Sequence, residues 1–234
     1  MASPFIIWFP AVMQSFAKIR ARAAARHGGE AALAERMPAM KTAAELAAIP
    51  DDRWLSQMSK CVFQAGFSWT VVDKKWPGTE DAFWGFDVAH CRSMSDEEFD
   101  ALLKDGRIIR NGAKVRSVAN NAAMLMDLAA EHGSAGKLFA EWPAEDYIGL
   151  LDLLKTRGDR LGGNAGMMAM RFMGRDGFVT SQDMVKALIG EGVLDGPPGS
   201  KKSMKAIQAA FNAWAGESGQ TFAAISRTLA MSVD

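Results

Sequence analysis

The stretch Arg157-Gly158-Asp159-Arg160-Leu161-Gly162-Gly163-Asn164-Ala165-Gly166 lies between two apolar segments with helical spacing, Tyr147 to Leu154 before it and Met167 to Met173 after it. A tight glycine turn that opens a helix points backbone N–H groups outward at the positive end of the helix dipole. That arrangement holds a phosphate without needing a basic side chain. A plain glycine-rich connector between helices has the same residues, and the sequence alone does not separate the two. Lys155, Arg157 and Arg160 lead into the turn, and Arg107, Arg110, Lys114 and Arg116 flank Ile108-Ile109. Cations beside a phosphate-binding turn suit a DNA backbone. Solvated helix faces are the ordinary alternative for such charges.

Outward from this turn the pattern is helical. Thr42 and Glu45 make a capping box for a helix that ends at Pro50, and Ser95 with Glu98 makes another ahead of Phe99, Leu102 and Leu103. Asp51 to Ala65 reads as a helix with acids in its first turn and Trp54, Leu55, Met58 and Val62 on one face. Asn111 to Ala130 reads as a long helix through Val115, Val118, Ala122 and Leu125. Pro143 is expected in the first turn of the helix carrying Tyr147, Leu150, Leu151 and Leu154. A short helix should start near Ser181, and Gly196-Pro197-Pro198-Gly199 is a loop. Two further helices are expected, one carrying Ile207, Ala210, Phe211 and Trp214 and one from Thr221 to Met231. Alternating apolar strands are absent, so the fold class is all-α.

Composition sets the outer bounds. The chain has 234 residues, 49% of them hydrophobic, which is enough for one compact domain or two small ones. Formal net charge is zero, so nucleic-acid binding would have to rest on local basic clusters. Cys61 and Cys91, with His27, His90 and His132, show no zinc-like spacing and no disulfide framework, which fits a reducing cytoplasm. Pro4 to Met13 is apolar but too short to span a bilayer, and its basic residues follow it rather than precede it. It is read as a helix docked on the body.

Several segments together resemble bacterial DNA-3-methyladenine glycosylase I, of the helix-hairpin-helix DNA glycosylase superfamily. They are Phe63-Gln64-Ala65-Gly66-Phe67-Ser68-Trp69, Lys74-Lys75, Phe83 to Asp87, Ile108-Ile109-Arg110-Asn111 with Lys114, and Asn121-Ala122. They follow the order and spacing of that family over roughly Asp51 to Leu125, and the match resumes at Lys155-Thr156-Arg157-Gly158. The resemblance implies two helical lobes around a cleft, with a hairpin at about 155–173. It also implies an N-terminal helical extension over 1–40 and a glycosylase-like domain over 41–234.

The departures from the family pattern bear on chemistry. The family's catalytic glutamate position, three residues before the glutamine, is Cys61 here. The residues of the family's structural zinc are not matched, so no metal and no cofactor is expected. The superfamily's catalytic aspartate aligns near Ser181, with Asp183 two residues on. Asp183 is therefore the candidate acid, or else a first-turn acid behind a Ser181 cap. Trp69 matches the tryptophan that stacks on the flipped base, and a π-face suits a cationic alkylated purine. A packed core tryptophan is the ordinary reading. Cys61 and Gln64 are expected beside Trp69 in the base pocket, although a lone cysteine on an apolar helix face is usually buried and inert. Met167, Met168, Met170 and Met173 read as core filling behind the hairpin.

The function so implied is hydrolysis of the N-glycosidic bond of an alkylated base such as 3-methyladenine after base flipping. The backbone is gripped by Gly162, Gly163, Ala165, Arg157, Arg160 and Lys114. No lysine nucleophile lies in Met167 to Met173, so strand cleavage is not expected. The alternative is a catalytically silent relative that binds damaged or distorted DNA. The expected partner is double-stranded DNA with a damaged base and not a membrane, for a cytoplasmic monomer.

Overall fold

The structure is a computed structural model, which describes residues 13–234. The segment from Pro4, expected to dock as a helix, lies outside the described residues apart from Met13. In chain order the helices are α1 (Phe16–Arg26), α2 (Glu30–Ala34), α3 (Ala43–Ala47), α4 (Asp51–Gln64) and α5 (Trp69–Ala82). Next come α6 (Val88–Arg92), α7 (Asp96–Lys104), α8 (Gly112–His132), α9 (Ala135–Glu141) and α10 (Tyr147–Arg157). The last four are α11 (Asn164–Met173), α12 (Gln182–Gly190), α13 (Lys201–Ser218) and α14 (Phe222–Met231). Short 3-10 turns at Trp84–Phe86 and Ala144–Asp146 complete the order, and no strand occurs among the described residues. The fold is all-α. Among the described residues no helix is long and apolar enough to cross a membrane.

Local chemistry sets many of the helix starts. The capping boxes at Thr42/Glu45 and Ser95/Glu98 both form, and Asn111, Ser181 and Thr221 each cap a helix by accepting from a first-turn backbone N–H. Pro143 differs from expectation. It is extended, at ψ 133°, and precedes the 3-10 turn rather than standing in the first turn of α10.

The chain divides into two compact units. One is Ala39–Gly177. Its centre is α4, whose Trp54, Leu55, Met58, Val62 and Phe63 are all buried and which packs against α8, α11 and α5. Trp54 meets the edge of Phe139 at 4.8 Å, and Phe63, Trp76, Phe83 and Phe86 make a ring cluster around the α5 exit. The carbonyls that end α9 are answered by buried Arg175, which donates to Phe139 O at 2.7 Å and to Trp142 O at 2.6 Å. Leaving such carbonyls unpaired inside the fold would cost about 1–3 kcal/mol each.

The other unit joins, among the described residues, 13–38 with Phe178–Asp234. Here α14 packs against α1, α12 and α13, around the rings of Phe178, Phe211 and Phe222. Glu191, 3% exposed, accepts from Arg22 Nη2 at 2.6 Å and from the backbone of Gln14 at 3.1 Å. That gives the buried carboxylate the pairing it requires.

Candidate nucleic-acid interface

The hairpin is formed by α10, the loop 158–163 and α11. Gly158 ends α10 at a place too close for a side chain, since an added Cβ would stand 2.6 Å from Leu154 O and 2.8 Å from Leu161 Cδ1. Gly163 is the N-cap of α11 at φ 60°, ψ −138°, a conformation that side-chain-bearing residues rarely adopt. Having no side chain, it leaves the amino end of α11 without a side-chain cap, and an added Cβ there would meet nothing within 4 Å. The α11 amino terminus therefore opens outward. Ala165 lies in its first turn, and Gly162, Gly163 and Arg160 are exposed. Arg160 also adopts a left-handed φ of 60°.

Two asparagines of α8 set the height of this loop. The Asn121 side chain is fully buried. Its Oδ1 accepts from the Asp159 backbone N–H at 2.7 Å, and its Nδ2 donates to the Asp159 carbonyl at 3.1 Å. Asn120 Nδ2 adds a bond to the Asp159 carboxylate at 2.8 Å. Behind the hairpin, Met167, Met170 and Met173 are buried, as expected of core filling, whereas Met168 is only partly buried.

The basic residues fare differently. Arg157 makes a bidentate pair with Glu131, both bonds at 2.7 Å, and Glu131's carboxylate raises the guanidinium's affinity for its proton. Lys114 is buried, and its ammonium donates to Phe63 O at 2.9 Å and to Ala65 O at 2.6 Å. Burial, and next the charge of Arg160, push its pKa down.

Trp69 is 47% exposed and opens α5 behind Ser68, after Gly66 has broken the path at φ 69°. It is thus on a different helix from Cys61 and Gln64, which both lie buried on α4. The Trp69 ring meets Phe172 of α11 edge-on at 6.1 Å, and Phe67, Val71 and Phe172 are exposed as well. Gln64 donates through Nε2 to Asp73 at 3.2 Å, and Asp73 also pairs with Lys60 at 2.9 Å. Neither Asp73 nor Phe172 stood out in the sequence. In the sequence Phe172 is one apolar residue among the neighbouring methionines, and the lysines and Pro77 of 69–82 carry no clear helical signal. The Cys61 thiol accepts from Gln57 at 3.5 Å, and burial pushes its pKa up to about 11. It is a neutral thiol at physiological pH. Asp183 belongs to the other unit, exposed in the first turn of α12 behind the Ser181 cap.

The all-helical fold thus presents one glycine-opened helix start and one exposed apolar corner at Phe67, Trp69 and Phe172. Residues 49–148 match the family model for methyladenine glycosylase. Over that segment the chain is similar to methyladenine glycosylases. It is 32% identical to DNA-3-methyladenine glycosylase 1 of Escherichia coli over 65 residues, 28% of this chain and 35% of that protein. It is 36% identical to the DNA-3-methyladenine glycosylase of Haemophilus influenzae over 59 residues, 25% of this chain and 32% of that one. The matched segment spans about a third of the length of these curated relatives. A solved variant of 3-methyladenine DNA glycosylase I in complex with 3-methyladenine aligns with TM-score 0.47 at 17% identity, over 64% of this chain and 88% of that one.

Proposed function

We propose that the protein is a DNA glycosylase that releases an alkylated base, such as 3-methyladenine, from double-stranded DNA. The observation that carries this reading is the methyladenine glycosylase match over residues 49–148, which includes the Gln64 to Trp69 segment and the Asn121 clamp on the hairpin loop. The α11 amino end, with Gly162, Gly163 and Ala165, would hold a DNA phosphate through its backbone, and the exposed Arg160 would add a charge. Trp69 would stack on the flipped base, with Phe172 supporting its ring from the side.

The chemistry asks little of the protein. An alkylated purine carries a positive charge, so the N-glycosidic bond breaks with its electron pair going to the base. Water then adds to C1′ of the sugar and gives up a proton. A carboxylate near the sugar stabilises the oxocarbenium-like transition state, and Asp183 is the residue proposed for that role. In this reading the protein works as a cytoplasmic monomer without a metal or cofactor. The second reading, a silent relative that binds damaged DNA, is favoured by Cys61. A buried thiol with its pKa pushed up to about 11 cannot replace a carboxylate.

Base release from alkylated duplex separates the readings. The wild type should release base, Asp183→Asn should slow turnover with duplex binding nearly intact, and Trp69→Ala should weaken base capture by about 1–3 kcal/mol. Full activity in Asp183→Asn removes the acid assignment. Damage-selective binding with no release by the wild type establishes the silent relative.

A further inference from the structure

We propose that Lys114 is a positioning residue that fixes the exit of α4, and with it the Phe67–Trp69 corner, rather than a ligand for phosphate. Lys114 is 8% exposed and stands in the first turn of α8, where its own backbone N–H is held by the Asn111 cap at 3.1 Å. Its ammonium crosses to the end of α4 and donates to the carbonyls of Phe63 and Ala65, residues 51 and 49 positions away in sequence. It also stands 5.7 Å from the centre of the Phe67 ring.

The last carbonyls of a helix have no intrahelical donors and form the negative end of its dipole. A cation there both satisfies them and is stabilised by them. At this helix end the next residues are Gly66, at φ 69°, then Phe67, Ser68 and Trp69. A hinge of that kind has many accessible paths, and two hydrogen bonds on Phe63 O and Ala65 O remove most of them. Two of the three ammonium N–H groups are committed to these carbonyls and the residue is 8% exposed, so a phosphate could reach at most the third, or else displace bonds that the acceptors of the fold need. What Trp69 does at its place rests on the glycosylase reading above; what Lys114 holds there does not.

The test compares the wild-type chain with Lys114→Met and Lys114→Arg. Hydrogen exchange on the DNA-free proteins is read first. Faster exchange in Lys114→Met at 64–69, with α8 and α11 unchanged, is the expected result, and unchanged exchange at 64–69 overturns the proposal. The salt dependence of duplex binding is read next. A phosphate ligand would lower the slope of log K against log salt by about 0.9 when removed, whereas a positioning residue leaves the slope in place. A lowered slope therefore also overturns the proposal.

Affinity for alkylated duplex should fall about 5- to 100-fold in both Lys114→Met and Trp69→Ala, with no further loss in the double variant, because one acts through the other. Additive losses count against the assignment. If Lys114→Met does not fold, Lys114→Arg decides. A phosphate contact tolerates the exchange, but the planar guanidinium does not fit the buried two-carbonyl slot, so exchange at 64–69 should still rise. A wild type with no salt-dependent duplex binding would sink the glycosylase reading alone, since the exchange measurement still decides the role of Lys114.

Discussion

Replacing Asn121 by leucine should loosen the hairpin loop more than any surface change near it. The side chain is fully buried and makes two bonds to the backbone of one loop residue, accepting from the Asp159 N–H at 2.7 Å and donating to its carbonyl at 3.1 Å. Leucine keeps the branched shape, but its methyls need more room than contacts of 2.7 and 3.1 Å allow, so the loop must shift, and one donor and one acceptor of the Asp159 backbone lose their partners. At about 1–3 kcal/mol for each such group, and toward the low end because the loop is part-exposed, the loss should be about 2–4 kcal/mol. For a chain of this size that is a fall of about 5–15 °C in Tm. Asn121→Asp is the sharper variant, because it keeps the acceptor and replaces the donor by an oxygen facing the Asp159 carbonyl. Asn120→Ala is the control, since it removes a single exposed bond to the Asp159 carboxylate and should cost under about 1 kcal/mol. Urea denaturation of all four proteins gives the free energies, and duplex binding at fixed salt gives the consequence for the grip. An Asn121→Leu loss no larger than that of Asn120→Ala would refute the clamp.

Gly163→Ala should fail through its backbone and not through crowding, because the added Cβ meets open space while φ stays at 60°. A loss of about 1–3 kcal/mol in stability is expected, with weaker binding by a similar factor for every duplex sequence tested; a sequence-dependent loss would contradict a phosphate contact. The Cys61 thiol gives a pH signature. Its pKa is raised from 9.0 to about 11 by burial, so the unfolded chain ionises first as pH rises. Its contribution to stability is complete below pH 9 and is lost between pH 9 and 11. Cys61→Ala should flatten the fall of urea-denaturation midpoints across that window, and an unchanged slope would show that the thiol is not desolvated.

The sequence by itself determined most helices and the chemistry of their starts. Thr42 with Glu45, Ser95 with Glu98, and the caps Asn111, Ser181 and Thr221 act within three residues of themselves, so spacing alone reveals them. The glycine turn was legible for the same reason, since a left-handed φ at Gly163 is a local demand. Helix α5 was not. Its run of lysines and Pro77 hides the buried face of Val72, Trp76, Thr79 and Ala82, which exists only because α4 and the Trp84–Phe86 turn cover it. Tertiary structure also decided the fate of the cations. Lys114 and Arg157 look alike in the chain as free charges near a turn. Only the fold brings Lys114 to the carbonyls ending α4 and Arg157 to Glu131, 26 positions away. Periodicity and capping are short-range and written in neighbouring residues, whereas a charge's partner depends on which distant backbone groups the packing leaves in need of a donor.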